Sequence, residues 1–176
     1  PEDVLRILTK IQQVENAQPG ETWRRRGIFM ADDAWSSGTL DAGGFTLEYQ
    51  DNEDDFELSE RRMALAWEAN AGMVPLAADT VWLRPFMEPI YPQDGGSIPL
   101  NDAREWCEES GAPGQLIARL SQGATLAHFQ GHANHWLMAH EVWFQQDTRS
   151  ITYRRDVELL TNVGKPWLFC GMGRHL

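Results

Sequence analysis

Two stretches end in residues that could do covalent chemistry. Ala124–His135 (ATLAHFQGHANH) is a short apolar run closing on Gly131-His132. Lys165–Leu176 (KPWLFCGMGRHL) is a second apolar run, with Cys170 at its edge and a glycine turn before Arg174. A histidine after one strand and a cysteine near the end of another suggest a thiol nucleophile with its base. A free thiol has a pKa of about 8.5, so a neighbouring imidazole is needed to make it a good nucleophile. Gly131 would let the backbone turn sharply and leave the His132 ring exposed. Backbone N–H groups around Gly131, Ala133 and Asn134 could then face an oxyanion. Asn134 and His135 would line the cleft, with the Glu88–Asp94 loop opposite. Glu88 and Asp94 are the candidates for orienting His132.

Other chemistry is open to the same residues. Cys170 could be a packed strand residue, since free cysteines are often buried. His128 sits inside the strand, where a core or supporting histidine is the ordinary reading. His128, His132, His135 and His140 could form a metal site, although their spacing matches no standard zinc pattern and a strand puts alternate residues on one face. The acidic run Asp51–Asp55 lacks the spaced ligands of an EF-hand calcium loop and reads as a solvated loop. No metal or other cofactor is expected.

Composition narrows the class. The chain has 176 residues, of which 42% are hydrophobic, enough for one domain with a real core. A net charge of −11 argues against a non-specific nucleic-acid binder, and Trp23-Arg24-Arg25-Arg26 is the one basic patch. Two cysteines, Cys107 and Cys170, make no disulfide framework or paired zinc motif. No apolar run approaches the roughly 20 residues of a membrane-spanning helix.

The segments that must position these residues alternate. Asp3–Val14 carries apolar residues at helical spacing. Arg26–Ala31 reads as a buried strand followed by Asp32-Asp33, carboxylates on the side where open α/β sheets bind ligands. Trp35–Asp55 reads as loop, with a small hairpin strand at Phe45–Tyr49. Phe56–Asn70 reads as an amphipathic helix, with Met63, Leu65, Ala66 and Trp67 inward and Glu57, Glu60 and Arg61 wet. Thr80–Leu83 is a second strand and Arg84–Pro99 a proline- and glycine-rich loop. Asn101–Glu109 and Pro113–Ser121 are helical, the first capped by Asn101 or Asp102. Ala124–Phe129 is the third strand, His135–Gln146 partly helical, Arg155–Leu160 a short helix and Pro166–Cys170 the fourth strand. The alternation predicts an α/β fold, a doubly wound and mainly parallel sheet.

Four places, in order, resemble the gingipain-type cysteine peptidases, which share a caspase-like fold. Trp23–Asp33 (WRRRGIFMADD) is similar to the family's W-R-x-R, apolar strand and A-D-D. Val81-Trp82-Leu83 with the loop after it is similar to the second strand. Leu120–Ala133 looks like L-x-x-G, a strand and G-H-G, and Asp156–Met172 like L-x-N, a proline-started strand and the cysteine turn. The resemblance implies a three-layer sandwich and a Cys/His endopeptidase acting through a thioester on a protein or peptide. His132 would be the catalytic histidine, with Ala133 replacing the family's glycine. The family's cysteine lies just beyond the strand, and counting from Pro166 lands on Gly173 or Arg174. Either Cys170 serves with a shifted turn, or Arg174 replaces the nucleophile and leaves an inactive binding or scaffold domain. The third alternative is a His-rich metalloprotein. Residues 1–176 would be the N-terminal, large-subunit-like portion of one domain, truncated after the strand that precedes the cysteine turn. A second chain or C-terminal segment would complete it. The resemblance implies a secreted or cell-surface protein and leaves the cytoplasm open.

Overall fold

The computed structural model describes residues 2–16, 18, 20–50, 55–70, 72, 75–134, 136–146 and 154–175, with side chains for all of these except 2, 3, 39, 40, 55, 174 and 175. The elements run α1 (Glu2–Asn16), β1 (Arg26–Ala31), β2 (Trp35–Leu40), β3 (Thr46–Gln50), α2 (Asp55–Ala69), β4 (Ala77–Trp82) and α3 (Arg84–Met87). They continue with β5 (Ser97–Pro99), α4 (Leu100–Glu109), α5 (Ala112–Ser121), β6 (Leu126–Ala133), β7 (Leu137–Met138), β8 (Phe144–Gln145) and β9 (Leu168–His175). Short 3-10 turns at Thr22–Arg25 and Asp156–Leu159 precede β1 and β9.

The apolar runs pair as a parallel core in the order β4, β1, β6, β9. β1, β4 and β6 follow helices, whereas β9 is reached through the β7–β8 hairpin and a 3-10 turn; each connection between parallel neighbours is a long crossover, which parallel pairing needs. Period-two alternation divides β1 and β6 between two faces. Ile28 and Met30 join Ala127 and Phe129 in a core with Val81, Leu83, Ala103, Cys107, Leu116 and Leu120, so α4 and α5 cover this side. On the other side Phe29 meets Trp67 of α2 edge-on at 6.2 Å, and Gly27 is bare because a Cβ there would lie 3.1 Å from the Trp67 ring. The basic patch is partly consumed by the fold, since Arg26 pairs with Asp79 of β4.

Several expectations are corrected. Trp35–Leu40 is a strand, not loop, and pairs antiparallel with β3, which pairs with β5 in a separate three-stranded sheet. The Arg84–Pro99 loop contains α3 and β5. Residues 136–146 hold the β7–β8 hairpin rather than helix, and it attaches antiparallel to β6 at Ala133. The cap of α4 is Pro99. Glu60 on the supposedly wet face of α2 is fully buried, whereas Leu65 is exposed. The apolar stripe of α1, Val4 to Val14, is likewise exposed. The largest change concerns β6, which does not stop at Phe129. Its pairing with β9 runs on to Ala133, so His132 lies within a strand and not in a turn beyond one. The run Asp51–Asp54 and His135 lie outside the described residues.

Candidate active site

The site forms where β1 ends and β6 continues. Beyond Ala31 the chain stays against β6 for one more bond, Asp32 N–H to the Gln130 carbonyl at 3.1 Å. This holds the Asp32 carboxylate beside His132. Asp32 Oδ2 accepts the His132 backbone N–H at 2.8 Å and faces its Nδ1 at 3.0 Å. Gly131 makes the approach possible: a Cβ there would lie 2.2 Å from Asp32 Cβ. Glycine therefore serves close packing here, not the sharp turn expected of it.

A carboxylate facing Nδ1 favours the tautomer with its proton on that atom. In neutral His132, Nε2 is then an acceptor, and the Ser36 hydroxyl of β2 lies 3.0 Å from it. Phe56 of α2 meets the imidazole edge-on with centroids 5.4 Å apart, and the His140 ring lies 4.6 Å away. His132 and Asp32 are both buried. Burial raises the Asp32 pKa, and the bonds from His132 pull it partly back. The result is an imidazole held in one orientation near the C-terminal end of β6. It can move a proton, provided a nucleophile reaches its ring.

β9 governs that provision. In the parallel register His132 stands opposite Arg174, and Cys170 stands opposite His128, four residues back. At about 3.3 Å per residue this sets Cys170 roughly 13 Å along the strand from the level of His132. A nucleophile and its base need a separation near 3 Å. Cys170 itself is exposed. His128 is engaged on the α2 side, its Nδ1 2.7 Å from Glu60 Oε1.

The remaining expected residues do other work. Asn134 Oδ1 accepts the N–H groups of Trp136 and Leu137 at 2.8 and 3.1 Å, and its own N–H is donated to the Leu137 carbonyl. It shapes the β6–β7 turn, which takes its N–H away from the proposed oxyanion pocket. Glu88 and Asp94 are exposed, and Asp94 accepts the Gly96 N–H. The orienting carboxylate is instead Asp32, visible in the sequence as an acid after a buried strand. Ser36 gave no such signal, because its segment looked like loop. Among the described residues, no group of three or more side chains able to hold a metal ion includes a histidine; the one such group is Asp32, Asp33 and Glu141.

With this geometry in place, relatedness can be read. The sequence profile described as peptidase family C25 matches residues 1–173.

The chain belongs to peptidase family C25.

This is the gingipain family, and the mixed α/β sheet with its parallel strands agrees with the family's caspase-like fold. At the level of the family, membership carries cysteine peptidase chemistry on protein substrates. The match ends one residue before Arg174. No curated protein and no solved structure matches the chain significantly.

Proposed function

We propose that this chain is a gingipain-type peptidase unit that keeps its base, His132, and an orienting carboxylate, Asp32, but carries Arg174 where the nucleophile belongs. It then binds polypeptide without cleaving it. The observation that carries this reading is the β6–β9 register, His132 opposite Arg174. In an active C25 enzyme a thiolate attacks the scissile carbonyl, the imidazolium protonates the leaving amine, and water hydrolyses the thioester. Backbone N–H groups such as that of Ala133 would hold the oxyanion. A guanidinium carries no nucleophile and stays protonated at any physiological pH. A further segment, in the same polypeptide or a second chain, would pair with β9, where Leu168 and Met172 are 71% and 59% exposed. A strand so exposed is otherwise an invitation to aggregate.

The test is turnover of a mixed fluorogenic peptide library by four proteins. Wild type should show none, Cys170→Ala should match it, and Arg174→Cys should gain thiol-dependent cleavage that His132→Ala removes. Cleavage by wild type that Cys170→Ala abolishes would overturn the proposal and make Cys170 the nucleophile.

A further inference from the structure

The β9 register leaves His132 without a thiol, but a hydroxyl already stands at its ring. Ser36 Oγ lies 3.0 Å from Nε2, while Asp32 Oδ2 lies 3.0 Å from Nδ1. Hydroxyl, imidazole and carboxylate follow one another, each contact at hydrogen-bond length. Serine hydrolases of unrelated folds activate a nucleophile by this arrangement, which is recognised by geometry and role, not by position in the chain. Three separate elements build it: Asp32 follows β1, Ser36 lies in β2 and His132 in β6. All three residues are 7% exposed or less.

The β2 strand is irregular at this point. Successive side chains of a strand face opposite ways. Yet consecutive Ser36 and Ser37 reach two histidines whose rings lie 4.6 Å apart, Ser37 Oγ contacting His140 Nδ1. The pairing of β2 with β3 shifts register between Ser37 and Thr39. A bulge of this kind re-aims the side chains beside it. With the Ser37 hydroxyl donating to Nδ1, His140 carries its proton on Nε2, and a ring N–H is a donor suited to an oxyanion.

We propose that Ser36, His132 and Asp32 act as a serine nucleophile, its base and the orienting acid in the hydrolysis of small activated esters, with His140 donating to the oxyanion. Ser36 Oγ attacks the ester carbonyl carbon as its proton passes to His132 Nε2, and Asp32 steadies the imidazolium. The bond from carbonyl carbon to the leaving oxygen then breaks, and the departing alcohol takes the proton from Nε2. Water attacks the acyl-serine and gives a proton to Nε2. The acyl bond to Ser36 breaks, Oγ recovers that proton, and a carboxylic acid leaves. The slight exposure of Ser36 selects a small acyl group and shuts out a polypeptide. The inference rests on His132 as base and Asp32 as its orienting acid, as above, and not on residue 174.

The experiment is turnover of p-nitrophenyl acetate by the whole chain, together with labelling by a fluorophosphonate located by peptide mass mapping. Wild type should show saturable turnover and one phosphonyl group per chain, on Ser36, a readout that depends on no variant folding. Ser36→Ala and His132→Ala should each lose roughly a hundredfold or more in kcat/KM and take up no label. His140→Phe should lower kcat by roughly a hundredfold with KM little changed. Absence of turnover and label in wild type would overturn the proposal. So would turnover that survives Ser36→Ala but not His132→Ala, which would make the imidazole itself the nucleophile, or turnover that Cys170→Ala abolishes. An unchanged kcat in His140→Phe would overturn the oxyanion assignment. Failure here leaves the Arg174 reading standing, since that reading is tested by peptide cleavage and needs no Ser36.

Discussion

The pair beneath the site offers a sharp test of how α2 is held to the sheet. Glu60 is completely buried, and His128 is 3% exposed. They meet at 2.7 Å, while Glu60 Oε2 has no partner. Burial raises the Glu60 pKa and His128 opposes that rise. Removing one member of such a buried pair leaves a desolvated group alone and costs about 3–5 kcal/mol. Replacing both by apolar residues of similar volume is often neutral. Glu60→Leu and His128→Leu should therefore each lose about 3 kcal/mol or more, a large part of a typical 5–15 kcal/mol stability. The double variant should return to within about 1 kcal/mol of wild type. Glu60→Gln keeps an acceptor for the Nδ1 proton and should cost only about 1 kcal/mol. Urea unfolding of wild type, the two single leucine variants and the double variant, with a common m-value, measures the cycle, and Glu60→Gln is measured beside them. Two independent, additive losses would refute the pairing argument. So would a Glu60→Leu variant within about 0.5 kcal/mol of wild type, the size of an ordinary surface effect.

Two shorter predictions concern the site and the thiols. Gly131→Ala should lose about 1–3 kcal/mol by urea unfolding, because its Cβ would lie 2.2 Å from Asp32 Cβ and one of the two must move; an unchanged stability would show that Asp32 does not rest on this strand. In the folded protein Ellman's reagent should titrate one thiol quickly, exposed Cys170, while buried Cys107, its thiol pushed up by burial, reacts only on unfolding. Two fast thiols would place Cys107 outside the core.

Much of the scaffold can be read from local pattern. Arg26–Ala31 is a run of apolar residues bounded by polar ones, and it is β1 residue for residue. The α4 and α5 segments carry apolar spacing that matches the face they bury. The failures share one cause, which is that burial of a polar residue depends on a distant partner. Glu60 reads as solvent-facing until His128, from β6, is laid against it. Trp35–Leu40 reads as loop because Ser36, Ser37 and Gly38 have low strand propensity, and pairing with β3 overrides that. From sequence the β6 strand ends at Phe129, because Gly131 reads as a turn, whereas its missing side chain makes room for Asp32.

The sequence by itself determined which chemistry could be present. It set an acid pair after one strand and a histidine in another, with a cysteine and an arginine in the last. It also pointed to parallel strands, since helical segments precede β1, β4 and β6 and long crossovers join the pairs, although the β6–β9 crossover holds a hairpin where a helix is expected. Only the tertiary structure decided which of these residues meet. Side-chain proximity along a strand depends on register, and the β6–β9 register sets His132 against Arg174 and Cys170 against His128. It also gathered Asp33, Glu48 and Glu141, far apart in sequence, into one buried cluster. Local propensity cannot specify such meetings, because they arise from long-range strand pairing and from the close approach that a single glycine permits.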